Sequence, residues 1–229
     1  MEILKEKEME GFHYIKINEI PSTNSYLKNE YKKYKDNVIL HTLSQTEGRG
    51  RFDRKWVSKN DLMFSILLFK NNNYSIIIPL SIIFALKKYN INTMIKWHND
   101  IYLDNKKLAG ILIEAIYQNT FIASIIGIGI NYNDYSEFDA IGLNKNIDME
   151  ELISNIIIEY RKLINLNEID LMNLYKEYSL VLNKRITYKE KKYTVVDIDN
   201  NGYLIIKDEF NNILKLTSNE IKIDKNEVL

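Results

Sequence analysis

Between residues 93 and 130, four apolar runs follow one another with almost no chain between them. They are TMIKW (93–97), IYL (101–103), KLAGILIEAIY (107–117) and TFIASIIGIGI (120–130), joined by short polar turns. Parallel strands need a crossover of about a dozen residues or more, so linkers this short dictate antiparallel neighbours. Asp104-Asn105 supplies a credible hairpin turn. FHYIKINEI (12–20), VILHTLS (38–44) and LMFSILLF (62–69) read as further strands. Pro21-Ser22 opens a helix running to about Lys35, with Ser22, Thr23 or Asn24 available as its N-cap. A long apolar helix is expected from Ser75 to about Tyr89, and two amphipathic helices at 148–165 and 168–181. After Leu182 the texture changes to five short alternating strands, RITYK, YTVVDID, GYLIIK, ILKLT and EIKI, with turns such as Asn200-Asn201-Gly202. The expected fold is α+β: a mixed, mainly antiparallel sheet with helices over residues 1–181, then a small SH3-like β-barrel at 182–229.

Composition removes several functional classes. Among 229 residues there is no cysteine, which excludes disulfides, zinc–thiolate sites and cysteine nucleophiles. Basic and acidic residues balance at 31 each, so the positive field that non-specific nucleic-acid binding needs is missing. The amino terminus is charged and carries no signal-peptide apolar core. The longest apolar run, Ile76 to Leu86, is broken by Pro79 and Ser81 and falls short of the roughly 20 residues a bilayer span takes. A cytoplasmic protein with no membrane partner is expected.

Because isoleucine, asparagine and lysine dominate, the scarce residue types carry the information. Only five of 31 basic residues are arginine, and three of those are Arg49, Arg51 and Arg54. In a chain that otherwise uses lysine, this clustering points to a need for the planar guanidinium fork. The segment Gln45-Thr-Glu-Gly-Arg-Gly-Arg-Phe-Asp-Arg-Lys-Trp56 reads as a loop. Gly48 and Gly50 would let its backbone take positive φ and approach a ligand closely, with exposed N–H groups forming an anion nest. Arg49 and Arg51 add bidentate donors for a phosphate or carboxylate. The spacing is neither that of a Walker loop nor GxGxxG. A solvated basic loop, touching RNA or nothing, is the alternative.

Two further segments collect scarce residues. Lys96-Trp-His-Asn-Asp100 and Lys106-Lys-Leu-Ala-Gly110 lie at strand ends. Asn99 and Asp100 could bind Mg²⁺ or orient donors, or could simply make a turn. Adjacent Lys106 and Lys107 face opposite sides of a strand, so one is solvated and the other turned inward, where it could neutralise developing negative charge. Gly110 suggests a ligand or backbone passing close. Gly127-Ile-Gly129-Ile-Asn131 clears one face of an apolar strand, either for a planar ligand or for close packing. His13, His41 and His98 are scattered without metal-ligand spacing, and His98 is read as structural.

Taken together, these residues resemble a biotin–protein ligase. The motifs are Ser22-Thr23-Asn24; Gln45 with Gly48-Arg-Gly-Arg51 and Arg54-Lys-Trp56; Lys96-Trp97-x-Asn99-Asp100; Lys107-Leu-Ala-Gly-Ile-Leu-Ile-Glu114; and Gly127-x-Gly-Ile-Asn131. Each motif alone is weak; five in order over residues 20–135 are specific. The resemblance implies the class-II-synthetase-like biotin/lipoate ligase fold and a two-step reaction. Biotin and MgATP give biotinyl-5′-AMP and pyrophosphate, and a lysine of a biotin carboxyl carrier protein then takes the biotin. It implies that Ser22, Thr23, Asn24 and Gln45 hold the biotin head group, and that Arg49, Gly50 and Arg51 wrap the carboxyl and phosphate end. Lys107, beside Gly110, would contact the reacting carbonyl and phosphate, and Trp56 and Asn131 would shape the nucleotide side. Arg49, Arg51 and Lys107 are the expected catalytic cations; the Mg²⁺ ligands are not assigned, with Asp100 a candidate. Family members often dimerise, so a homodimer is an expectation by analogy. His98 stands where the family usually has proline, and Phe52-Asp53 replaces a more basic or glycine-containing pair. Only 21 residues precede Ser22, too few for a winged helix–turn–helix, so no DNA partner is expected. A lipoate–protein ligase and a non-catalytic protein- or RNA-binding module are the rival readings.

Overall fold

A computed structural model of the chain describes residues 2–57, 60–135, 139–217 and 221–223. Along the chain come β1 (Ile3–Met9), β2 (Phe12–Ile20), α1 (Thr23–Glu30), β3 (Val38–Gln45), β4 (Leu62–Leu68), α2 (Tyr74–Lys87), β5 (Met94–Lys96) and β6 (Asp100–Leu103). They are followed by β7 (Lys106–Gln118), β8 (Thr120–Ile130), α3 (Met149–Leu163) and α4 (Glu168–Glu177). The last five strands are β9 (Arg185–Tyr188), β10 (Lys191–Ile198), β11 (Leu204–Lys207), β12 (Ile213–Leu216) and β13 (Lys222–Ile223). The architecture is the expected α+β one. The chain forms two units, Met1–Asn72 with Lys107–Ser154, and Asn73–Lys106 with Asn155–Leu229.

In the first unit the strands lie in the order β1-β2-β3-β4-β8-β7. β2 and β3 are parallel, and α1 is the crossover that a parallel pair requires. The pairs β3/β4, β4/β8 and β7/β8 are antiparallel. One face of the sheet packs against α1. Ile15 and Ile17 of β2, Val38 and Leu40 of β3, Leu67 of β4 and Ile125 of β8 close on Leu27 of the helix. Alternate residues along each strand point the same way, so Ser65, two residues from Leu67, and Gly127, two from Ile125, belong to that face too. The helix opens there because Ser22 caps it, its Oγ accepting from the Ser25 N–H at 3.3 Å.

Three elements depart from the sequence reading, one of them α4, which ends at Glu177 rather than at 181. β1 was not anticipated. Its residues are exposed up to Met9, so it has no apolar face to reveal it; it pairs with β2 through the backbone ladder and through polar side chains, with Glu6 Oε1 2.6 Å from His13 Nε2 and Lys7 over the Tyr14 ring. Its alternating lysines and glutamates suit an edge strand that must not recruit another chain. The first helix stops at Glu30 and tightens into a single 3₁₀ turn at Tyr31–Lys33 rather than running to Lys35.

The second unit contains the antiparallel hairpin β5–β6 and helices α2 and α4. Ile95 is held to the segment after α4 by Ile95 N–H to Tyr178 O at 2.7 Å and Leu180 N–H to Ile95 O at 2.8 Å. The last five strands form one antiparallel sheet of order β12-β11-β10-β9-β13. Trp97 is buried, and its Nε1 donates to Gly202 O at 2.8 Å. Gly202 takes φ +79°, so the Asn200-Asn201-Gly202 turn needs glycine there.

Opposite α1, the first unit buries a polar pair. Tyr14 OH lies 2.7 Å from His41 Nδ1, and both side chains are inaccessible to solvent. Burial, with Lys16 nearby, lowers the His41 pKa to about 4. On the α3 side, Glu150 accepts from Lys5, Lys7 and Lys16 at 2.7, 3.0 and 3.2 Å. Burial pushes the Glu150 carboxyl up, but those three lysines outweigh it and bring it down to about 2. Both groups titrate lower in the folded chain than unfolded, so both contribute stability that is complete at neutral pH and lost on acidification. For His41 the loss runs from the ordinary 6.5 down to about 4 and amounts to roughly 3 kcal/mol. For Glu150 it runs from the ordinary 4.5 down to about 2. In urea titrations across pH, H41Q is expected to flatten the fall in midpoint between pH 6.5 and 4, whereas E150Q leaves that limb and flattens the one below it. An H41Q protein that lost stability as steeply as the unaltered chain over that range would count against this assignment.

Candidate active site

Strand β8 sets the position of the site through two missing side chains. Gly127 and Gly129 are two residues apart and therefore clear the same face. A Cβ on Gly127 would lie 2.5 Å from Asn24 Oδ1, and one on Gly129 would lie 2.4 Å from the Trp56 ring. In this structure the cleared face is thus filled by two of the chain's own candidate residues. In register, Ser65 of β4 and Leu112 of β7 flank Gly127, while Met63 and Gly110 flank Gly129. Gly110 is constrained for the same reason, since its Cβ would meet Trp56 at 2.9 Å and the Lys107 side chain at 3.2 Å.

At the Gly127 end, the first turn of α1 forms a closed hydrogen-bond network. Ser22, Thr23 and Asn24 are all buried. Gln45 Oε1 accepts from the Thr23 N–H at 2.8 Å and lies 3.1 Å from Thr23 Oγ1. Ser65 Oγ, also buried, lies 2.6 Å from both Thr23 Oγ1 and Asn24 Oδ1. A hydroxyl has one proton. Asn24 Oδ1 can only accept, because the amide nitrogen on the other side donates to Leu112 O at 3.3 Å and to Glu114 Oε2 at 3.0 Å. Two hydroxyl protons serve three oxygen contacts: the Ser65 proton goes to Asn24 and the Thr23 proton to Ser65, the two 2.6 Å contacts, which leaves the longer 3.1 Å approach of Thr23 Oγ1 to Gln45 Oε1 without a proton. Thr23 then presents lone pairs only. Among the described residues Gln45 Nε2 donates only to the weak acceptor Met63 Sδ at 3.5 Å, and it and the Ser22 hydroxyl keep protons to give. Ser65 and Glu114 were given no role in the sequence reading. A serine in an otherwise apolar strand was the signal for the first.

At the Gly129 end stand the cations. Lys106 is exposed and Lys107 half-buried, the in–out pair expected of neighbours on a strand. The Lys107 ammonium sits 5.5 Å from the Trp56 ring centroid, a cation–π distance. Trp56 Nε1 is buried and has no hydrogen-bond partner among the described residues. Arg49 Nη2 donates to Glu114 Oε2 at 2.8 Å, which brings the arginine to the same carboxylate as Asn24. Burial would raise the Glu114 pKa, but hydrogen bonds from Asn24 and Lys28 and the charge of Arg49 outweigh it and hold the carboxyl below its usual range. Arg51 is half-buried and stacks on the Phe52 ring at 4.8 Å, and Phe52 takes φ +55°.

The loop carrying these arginines is folded back on itself. Gly50 N–H donates to Arg54 O at 2.7 Å and Trp56 N–H to Gly48 O at 2.9 Å. Gly48 and Gly50 were expected at positive φ. Among the described residues only Gly11 and Gly202 are positive-φ glycines, and Gly50 has φ −111°. Gly48 is required by space instead, since a Cβ there would lie 2.5 Å from Trp56 O. The Gly50 N–H is spent inside the loop, so it is not an open donor of a nest in this conformation.

Other candidates lie elsewhere. Asn131 Nδ2 donates to Lys107 O at 3.2 Å and Ile141 O at 3.4 Å, tying Ile141 and the Lys107 strand to the end of β8. Lys96, Trp97, Asn99 and Asp100 belong to the second unit. There Lys96 Nζ donates to Tyr102 OH at 2.9 Å. Among the described residues no group of three or more His, Cys, Asp or Glu side chains is arranged to hold a metal ion.

If Gly129 exists to seat Trp56, Gly129→Ala must push the indole off the strand. In a Trp97→Phe background Trp56 is the sole tryptophan. Its emission is expected to move to longer wavelength in G129A, and an unshifted spectrum would show that the ring does not rest on Gly129.

The family model for the biotin/lipoate A/B protein ligase family matches residues 17–131 of this chain, the stretch that carries the whole of this network. The bifunctional ligase/repressor BirA of Bacillus spizizenii is 33% identical over 144 residues, 57% of this chain and 43% of that protein. BirA of Bacillus subtilis is 26% identical over 249 residues, 94% of this chain and 75% of that protein. This chain thus spans less than half of the Bacillus spizizenii relative. Among solved structures, a biotin protein ligase from Aquifex aeolicus in complex with biotin and ATP aligns with a TM-score of 0.75 at 26% identity, covering 92% of this chain and 98% of that one. By the model matched over half its length, the chain belongs to the biotin/lipoate A/B protein ligase family.

Proposed function

We propose that this protein is an ATP-dependent biotin–protein ligase. The observation that carries the reading is the continuity of the site along β8. A polar, donor-and-acceptor end at Gly127 runs into a cationic end at Gly129 with no break in the face. A cyclic urea offers one carbonyl acceptor and two N–H donors. The Ser22 hydroxyl and Gln45 Nε2 are donors for the carbonyl, and the Thr23 lone pairs are an acceptor for an N–H. Asn24 acts at one remove, since its amide is committed to Ser65, Leu112 and Glu114. The valeryl chain would run past Met63 and Leu112 towards Arg49 and Lys107, with Trp56 and Asn131 on the nucleotide side.

In the first step a biotin carboxylate oxygen attacks the α-phosphorus of ATP and pyrophosphate leaves, giving biotinyl-5′-AMP. Two anions must meet, so Arg49, Arg51 and Lys107 lower the barrier by offsetting charge that grows in the transition state. In the second step a lysine amine attacks the carbonyl of the mixed anhydride, AMP leaves and the amine loses a proton. No nucleophile of the enzyme is needed, and positioning supplies most of the rate. Mg²⁺ would arrive on the ATP phosphates. An ion that keeps most of its waters asks for one or two carboxylates rather than a cage, and Asp100 is the candidate among them. The acceptor is proposed to be the lysine of a biotin carboxyl carrier domain. Residues 1–181 would do the chemistry and 182–229 form the terminal domain. The cytoplasm, where ATP and such carriers meet, is the proposed compartment. No helix among the described residues is long and apolar enough to cross a membrane.

ATP–pyrophosphate exchange that requires biotin is the direct test. Exchange driven by lipoate instead would favour a lipoate ligase, and none at all a binding module. Lys107→Ala is expected to slow exchange by about 100-fold or more, the cost of removing one preorganised charge donor. Near-normal exchange would remove Lys107 from the site. Arg51→Gly is expected to release free biotinyl-5′-AMP and label stray lysines, because its contacts to phosphate are lost. Retention equal to that of the unaltered chain would remove Arg51 from that role.

A further inference from the structure

Glu114 closes the motif that begins at Lys107, yet the ligase reading gives it nothing to do. Its side chain is 16% exposed and receives three donors. Oε1 accepts from Lys28 Nζ at 3.0 Å; Oε2 accepts from Asn24 Nδ2 at 3.0 Å and from Arg49 Nη2 at 2.8 Å. One oxygen therefore joins the two ends of the site. Asn24 is anchored independently by Ser65 and by Leu112 O, so the oxygen that Asn24 holds is itself fixed relative to β4 and β7. Among the described residues Arg49 has no such anchor of its own. It comes from a loop whose ladder contact there is the single bridge Arg49–Lys55. A guanidinium carries five N–H donors, and the bond to Glu114 uses one. The remainder stay available to an incoming anion.

We infer that Glu114 is a positioning residue that fixes the Arg49 guanidinium at a set distance from the Asn24 amide, and so from the head-group end of the site. It does not touch the reacting atoms. It acts through Arg49, by sparing the loop the ordering cost when phosphate arrives. With two cations against one carboxylate, the cluster keeps net positive charge for an anionic ligand. This rests on the ligase reading and adds to it the residue that sets the geometry of its arginine.

The test is a double-mutant cycle on biotin-dependent ATP–pyrophosphate exchange with Glu114→Gln and Arg49→Met. E114Q is expected to raise the ATP concentration for half-saturation by about tenfold, the scale of one charge-assisted contact, with the maximal rate changed much less. R49M is expected to do at least as much, and the double variant no more than R49M alone. Glu114→Asp, which keeps the charge on a shorter arm, should be non-additive with R49M in the same way and guards against an E114Q that folds poorly. Additive losses, or a fall in maximal rate with half-saturation unmoved, would overturn the inference and leave the ligase reading standing. If the unaltered chain shows no biotin-dependent exchange, both fall.

Discussion

The site depends on absent Cβ atoms. With side chains at 127 and 129, β8 would be an ordinary apolar strand and the face in front of it would be core. With hydrogens there, the first turn of α1 and the indole of Trp56 come down onto backbone. This places polar groups on a sheet face otherwise lined by apolar residues such as Ile15, Ile17, Val38, Leu40, Leu67 and Ile125. Buried polar atoms then have to satisfy one another, because each unpaired one costs on the order of 1–3 kcal/mol. The chain of protons from Thr23 through Ser65 to Asn24 and on to Glu114 is that requirement being met. Its by-product is a set of donors and acceptors whose directions are fixed before any ligand arrives.

Charge is handled in the same way. The cations read from the sequence are not free in solvent. Arg49 is held by Glu114, Lys107 lies over Trp56, and Arg51 stacks on Phe52. An arginine that already has one good contact loses less freedom when it binds phosphate than one that must be gathered from water. The aromatic residues serve the cations as neutral supports, contributing attraction without cancelling charge. Phe52, where a basic or glycine-containing pair is more usual, thus supports the neighbouring arginine in place of adding another charge.

Much of this was legible in the sequence, for identifiable reasons. The antiparallel middle followed from linker lengths, and the candidate loop from the rarity of arginine and glycine in a lysine- and isoleucine-rich background. The in–out split of Lys106 and Lys107 followed from strand alternation alone. What stayed hidden depended on tertiary neighbours. Strand β1 has no apolar periodicity, because an edge strand held by backbone pairing needs none. Gly48 looks like a turn glycine but is dictated by the Trp56 carbonyl. Asn24 looks like a ligand-binding amide but is saturated by protein partners. Ser65 gave a faint signal as a hydroxyl in a run of large apolar residues, and its consequence emerges only when its single proton is counted against two neighbours.

The most direct measurement is a crystal structure of the protein with biotin and ATP bound. The ureido ring is expected within hydrogen-bonding distance of Ser22, Thr23 and Gln45, with the carboxyl end between Arg49 and Lys107. A ligand seated away from the Gly127–Gly129 face, with Thr23 and Gln45 still bonded only to protein, would contradict the account.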